Sequence, residues 1–290
     1  MPRVILAEDS RTQAAVIRIT LESKGFQVQI CRDGAEALKA VAQDPPDLVL
    51  TDLDMPELDG VGLVKALKSD HPAVPAIIMH TSGSEQSALA ALRSGAVDYV
   101  MKRSLADEID PAYRRLRNVQ AALSQCVPPS PHLIEATHSF LLDNDAAAIQ
   151  PLIAHLHVAV ASTGVWDDND RLRFCIAARE AIQNAMHQNN LELPGAPFET
   201  LSDESERLGE GRRKERPYYE RRVRVAFDVS RSRFKCTIED QGRPLNHAAA
   251  EAAVKTSLER HHGLVLLTNF MDQTSFESAP NRMVFTNGRA

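Results

Sequence analysis

The chain has 290 residues, is 43% hydrophobic and 25% charged, and carries 33 Lys and Arg against 39 Asp and Glu for a formal net charge of −6. That length and apolar content suit two ordinary domains, and the acidic balance gives no general attraction to nucleic acid or anionic membrane. Cys31, Cys126, Cys175 and Cys236 lie far apart with no CxxC pair, and no apolar run approaches the length of a membrane span; neither a zinc site, a disulfide framework, a leader nor a membrane segment is expected, and the cytoplasm fits best.

In the first part, short apolar runs alternate with helical periodicity. "RVILAE", "QVQIC", "DLVLT", "AIIMH" and "DYVM" read as strands, and stretches such as "TQAAVIRITLESKG" and "GAEALKAVAQ" read as amphipathic helices stopped by Gly25 and by Pro45–Pro46. Such a repeat predicts a parallel sheet covered on both faces, with ligands at the carboxyl ends of its strands. The first strand ends in Glu8 and Asp9, the third in Asp52, the fourth in Thr81 and the fifth in Lys102. Two carboxylates about 4 Å apart repel by about 4 kcal/mol at an effective dielectric near 20, so Glu8, Asp9 and Asp52 call for a compensating cation, and Mg²⁺ suits a few carboxylates plus waters. A lysine and a hydroxyl in the same crevice suit a transient phosphoryl group on Asp52, the carboxylate acting as nucleophile. Asp54, Glu57 and Asp59 read as loop-solvating side chains, with Pro56 and Gly60 shaping the turn.

"AED", "TDLDMPELDG", "HTSG" and "GAVDYVMK" together resemble the receiver domains of two-component response regulators, over Arg3 to Leu123. The resemblance implies a flavodoxin-like (βα)5 fold and a sensor histidine kinase as phosphodonor. It makes Asp52 the phosphoacceptor, puts Asp9, Asp52 and the Asp54 backbone carbonyl on Mg²⁺ beside Glu8, and has Lys102 bridge to the phosphoryl oxygen while Thr81 and Tyr99 relay its presence. The family usually has proline after the lysine, often in a cis peptide; here Arg103 follows, and since a non-proline cis bond costs about 3 kcal/mol a trans bond is expected.

"CVPPSPH" cannot continue a helix and marks a joint, giving expected domains at 1–124 and 133–290 with a Pro-rich linker at 125–132. Beyond it, "THSFLLD" reads as a strand and "NDAAAIQPLIAHLHVAVAST" as a helix capped by Asn144 or Asp145. In "DDNDRLRFCIAAREAIQNAMHQNN", Cys175, Ala178, Ile182, Ala185 and Met186 form an apolar stripe, and Glu180, Asn184 and His187 share the opposite face. "RRVRVAFDVS" and "RFKCTIEDQG" read as antiparallel strands, "HHGLVLLTNFMD" as a helix behind a glycine, and "TSFES" and "RMVFT" as closing strands.

"REAIQNAMHQNN", "EDQGRP" and "HHGLVLLTNFMD" resemble the N-box and two glycine boxes of the GHKL ATPase fold, an α+β sandwich, in its serine-kinase branch with the bacterial anti-sigma factors, over His132 to Thr286. The resemblance implies that Asn184 ligates the Mg²⁺ of Mg-ATP, Glu180 is the base, Asp240 bonds the adenine amino group, and Gly242 and Gly263 let the backbone approach the nucleotide, with His187 beside them. Each box has lost one glycine, as Asp240-Gln-Gly242-Arg-Pro244 and His261-His262-Gly263. Pro244 and His261 either narrow the pocket, or His261, His262 and Arg243 supply cationic contacts to phosphates. The expected protein is a response regulator, phosphorylated on Asp52, that controls an anti-sigma or serine-kinase-like ATPase domain, with an antagonist protein or sigma factor as partner and a homodimer possible. The alternative is a domain that has lost ATP chemistry and binds protein under phosphorylation control.

His155 and His157 lack a following acid and read as packed or partly exposed, not as phosphoacceptors. "GEGRRKERPYYERRVR" reads as a charged loop leading into an edge strand, and with no helix-turn-helix or zinc-finger spacing no direct nucleic-acid contact is expected. Trp166 reads as packing at a helix entrance.

Overall fold

Continuous apolar sequence makes the first sheet. The computed structural model describes residues 1–123, 132–194, 203–243, 262–278 and 281–288; the linker residues 125–131, Pro244 and His261 lie outside them. The chain divides into two compact units, Met1–Arg117 with Asp167–Asp170, and Asn118–Trp166 with Arg171–Ala290.

In the first unit, β1 (Arg3–Ala7), β2 (Gln27–Cys31), β3 (Leu48–Asp52), β4 (Ala76–His80) and β5 (Asp98–Met101) alternate with α1 (Arg11–Ser23), α2 (Gly34–Gln43), α3 (Gly60–Asp70), α4 (Glu85–Ser94) and α5 (Leu105–Leu123). The strands pair in parallel in the order β2-β1-β3-β4-β5. Every residue of β3, β4 and β5 is buried, as expected of strands covered on both faces. The order reverses between β1 and β3, and that switch point opens a crevice at their carboxyl ends. Ser10, Asp33 and Asp59 each cap a helix, accepting from the backbone N–H of Gln13, Glu36 and Gly62. Asp59 is thus a cap, a role its place in an acidic loop concealed. The Lys102–Arg103 bond is trans, the cis peptide among the described residues being Arg216–Pro217, and Lys102–Ser104 form a 3-10 turn.

The second unit is built on alternation. Its sheet runs β6-β7-β8-β10-β9, from β6 (Glu135–Leu142), β7 (Val223–Ser230), β8 (Arg233–Asp240), β9 (Gln273–Ser278) and β10 (Asn281–Gly288), all antiparallel. Val223, Val225, Phe227 and Val229 of β7 and Phe234, Cys236 and Ile238 of β8 are buried while their neighbours are not, so one face packs on helices and the other is wet. Among the described residues its helices are α6 (Ile149–Ala161), α7 (Asp168–Asn184), α8 (Asp203–Arg212) and α9 (His262–Phe270). Phe174 of α7 stacks on Phe234 at 4.6 Å, and Trp166 meets Phe174 edge-on at 5.0 Å, the packing expected of Trp166.

Several expectations change. Strand β7 lies between β6 and β8 and is not an edge. Asp145 caps a 3-10 turn, Ala146–Ala148, ahead of α6, whereas Asn144 is buried and donates to the carbonyls of Tyr218 and Arg221. Gly263 sits inside the first turn of α9, not ahead of it. His157 is buried, and exposed His155 meets His138 at 3.0 Å. The basic cluster is structured: α8 ends at Arg212, and Arg212 and Arg221 flank the Tyr218 ring at 5.0 and 5.2 Å. Among the described residues no helix is long and apolar enough to cross a membrane.

Gly60 is the tightest position in the first unit for an added side chain. A Cβ there would lie 2.1 Å from the Asp52 carbonyl oxygen and 2.9 Å from the Leu53 Cα, both backbone atoms that cannot swing away. Gly60→Ala is expected to cost about 1–3 kcal/mol by overpacking, read as a lower denaturant midpoint; an unchanged midpoint would contradict the close approach.

Candidate functional site

The carboxyl ends of β1, β3 and β5 bring Glu8, Asp52 and Lys102 together. The Lys102 Nζ lies 2.8 Å from Glu8 Oε2, 2.8 Å from Asp52 Oδ2 and 2.9 Å from Gln13 Oε1, so its three protons have three acceptors. Asp52 Oδ1 accepts from the Leu53 N–H at 2.8 Å, and Glu8 Oε1 from the Ser10 N–H at 3.2 Å. Burial raises the pKa of Glu8, the Lys102 hydrogen bond opposing it. Burial alone would lower that of Lys102, but its bonds to Asp52 and Glu8 outweigh it and the net shift is upward. The ammonium therefore lies between two buried carboxylates and bonds to both.

Asp9 completes the acidic set. One carboxylate oxygen from each of Glu8, Asp9 and Asp52 lies within 4.8 Å of the others, with Asp9 exposed and the other two buried. Three hard oxygen donors with one side open to water fit Mg²⁺, which keeps several of its own waters. Asp54 is exposed beside them. Thr81 is exposed at the end of β4, its N–H bonded to Ser84 Oγ, whereas Tyr99 is buried with its ring 5.7 Å from that of His80. Gln13, which shares Lys102, escaped the sequence reading because a lone glutamine in an amphipathic helix carries no spacing signal.

In the second unit the helix through Glu180 and Asn184 does not continue regularly. It ends at Asn184 and runs on as a π-helical turn, Ala185–Asn190, a feature that often marks functional sites. The expected polar face is largely covered: Asn184 is 3% exposed, Glu180 and His187 are half-buried, and Glu180 is held by Arg179 at 2.6 Å. Asp240, at the end of β8, faces this turn. Its Oδ2 accepts from Asn189 Nδ2 at 2.7 Å, and its Oδ1 from Asn281 Nδ2 at 2.6 Å and the Gly242 N–H at 3.0 Å. Burial raises its pKa and these donors oppose the rise.

The cavity lined by Asn184, Asn189, Asp240, Asn281 and Met283 holds about 10 Å³, room for about one water. Gly242 approaches the chain itself: a Cβ there would lie 2.0 Å from the Asn189 carbonyl carbon. Arg212 and Arg221 donate to the carbonyls of Leu191 and Asn190 and so close the end of the π turn. Sequence reasoning missed Asn189 and Asn281; the repeated amides of "QNN" were the available hint.

His187 gives this pocket a pH signature. Burial, with Arg213 and Arg179 nearby, lowers its pKa to about 4, and its Nδ1 is buried with no hydrogen-bond partner among the described residues. The unfolded chain therefore binds the proton more readily, and stability falls as pH drops from about 6.5 toward about 4. The loss attributable to His187 approaches about 3 kcal/mol at the acid end. Thermal melts of wild type and His187→Gln across that range are expected to diverge, with the variant losing less; parallel slopes would contradict the burial.

Comparison with known proteins matches two families along the chain. The response regulator receiver domain family matches residues 4–114, and the histidine kinase-like ATPase domain family matches residues 142–286. The transcriptional regulatory protein PrrA of Mycobacterium tuberculosis is 37% identical over 101 residues, 35% of this chain and 43% of that protein. The regulatory protein AtoC of Escherichia coli is 31% identical over 201 residues, 68% of this chain and 42% of that protein. The chain thus spans less than half the length of these curated relatives. The solved receiver domain of NtrX from Brucella abortus is 26% identical, covers 39% of this chain and 95% of its own, and gives a TM-score of 0.37. The chain belongs to the histidine kinase-like ATPase domain family and carries a response regulator receiver domain ahead of that domain.

Proposed function

We propose that this protein is a response regulator in which phosphorylation of Asp52 controls the partner binding of the ATPase-like domain. The observation that carries this is the Asp52–Lys102–Glu8 cluster: a carboxylate at a strand end, one oxygen on an ammonium at 2.8 Å, beside two further carboxylates. In the reaction an Asp52 carboxylate oxygen attacks the phosphorus of a phosphohistidine on a sensor kinase. The O–P bond forms as the P–N bond breaks, and the imidazole leaves, taking up a proton. Lys102 neutralises charge developing on the transferred group. Glu8, Asp9 and Asp52, with the Asp54 carbonyl, would hold Mg²⁺, which supplies further charge neutralisation when bound. Thr81 and Tyr99 then report the phosphoryl group, a two-state coupling of the order of 1–3 kcal/mol being enough for a several-fold to hundredfold change in affinity.

The output partner is a protein, such as an antagonist or sigma factor exchanged in a partner-switching pathway. A binding role is favoured over a protein serine/threonine kinase because Glu180 is engaged by Arg179 and the carboxylate of Asp240 is filled from within. The domain boundaries we assign, 1–124 and 133–290, make the receiver and the output separate units of regulation.

Acetyl phosphate with Mg²⁺ is expected to label wild type. Asp52→Ala should take no label above background, and Lys102→Ala should lose about 100-fold in labelling rate. Full labelling of Asp52→Ala would refute the assignment.

A further inference from the structure

A buried carboxylate needs donors, and in the ATPase-like unit Asp240 finds them within its own chain. Oδ2 takes the Asn189 amide at 2.7 Å, and Oδ1 takes the Asn281 amide at 2.6 Å with the Gly242 N–H at 3.0 Å. An ionised carboxylate offers about four lone-pair sites, so its capacity is nearly used. The Asn189 donor is an NH₂ group on a planar sp² carbon, the same donor that the exocyclic amine of a purine presents. Among the described residues the space beside it holds about 10 Å³, about one water.

The contact is built from the backbone upward. The π turn Ala185–Asn190 carries Asn189 round to face β8. The chain after β8 is fastened to the same turn: Arg243 N–H donates to the Asn189 carbonyl at 3.2 Å, and Gln241 N–H donates to Asn190 Oδ1 at 2.9 Å. Asn190 in turn donates to Asn144 at 2.8 Å and is fully buried. Gly242 lets the two backbones touch, with no space for a Cβ. A π turn differs from an α turn by one residue, so reverting to α rotates Asn189 away from Asp240 without unfolding the helix.

We infer that Asn189 is a built-in occupant of the Asp240 site, so that the ATPase-like unit as folded is closed to purine nucleotides and opens only when the π turn releases Asn189. This rests on the match of residues 142–286 to the histidine kinase-like ATPase domain family and not on phosphorylation of Asp52, so either can fail without the other.

The test is calorimetric titration of full-length wild type, Asn189→Ala and Asn281→Ala with Mg-ATP, beside nuclear magnetic resonance of the Asn189 side-chain amide in wild type. Loss of a charge-assisted hydrogen bond to the plug should make Asn189→Ala bind Mg-ATP at least about tenfold tighter than wild type. Asn281→Ala, which leaves the plug in place, should not gain. The wild-type amide protons should exchange slowly with solvent and lose that protection only at ATP concentrations that saturate binding. Equal affinity in wild type and Asn189→Ala overturns the inference. So does fast exchange of the Asn189 amide in wild type, a readout that needs no variant to fold.

Discussion

An ammonium placed between buried carboxylates is the constraint on which the first unit depends. Strand ends that converge at a topological switch point bring Glu8 and Asp52 together whether or not their charges agree, and at an effective dielectric near 20 their repulsion amounts to about 4 kcal/mol at contact distance. Lys102 resolves this by bonding both. A site balanced in this way responds strongly to any further charge, because a phosphoryl group or a cation must be accommodated by the same ammonium and the same three acids. Gly60 belongs to this arrangement: by pressing α3 onto the Asp52 carbonyl it fixes the backbone that carries the carboxylate.

The second unit treats its buried carboxylate differently. Among the described residues Asp240 has no ammonium in contact; it accepts from two neutral amides and one backbone N–H. Such a site is nearly full, whereas the cluster around Asp52 is open on the Asp9 side. The two units thus carry an open acid cluster and a covered acid, and the functional proposal follows from that contrast more than from the fold, which alone does not imply activity. The arginines of the segment before β7 serve the same sealing. Arg212 and Arg221 hold Tyr218 between them and close the end of the π turn, which leaves them engaged within the fold.

Most of the first unit was legible in its sequence because buried parallel strands are written as unbroken apolar runs, and because strand ends in an alternating β/α chain share one edge. Glu8, Asp9, Asp52 and Lys102 could therefore be grouped before any coordinate was known. The strands of the second unit were legible by their alternation, but the helix through Glu180 was not. A period of 3.6 residues places Glu180, Asn184 and His187 on one face, and the π turn after Asn184 breaks that period where the pocket begins. Asn189 and Asn281, from a helix end and a strand start 92 positions apart, have no common pattern, and only the sheet register that sets Asn281 opposite Asp240 unites them. Tyr218 was concealed by the charged residues around it, whose role as its clamp depends on tertiary packing.

The central claim is that charge arriving at residue 52 is felt in the carboxy-terminal unit. Hydrogen–deuterium exchange of the full-length protein with and without acetyl phosphate and Mg²⁺ tests it most directly, with Asp52→Ala as the control. Altered protection is expected in peptides from residues 132–288 of wild type and none in the control. Unaltered protection in those peptides at full phosphorylation of Asp52 would contradict it.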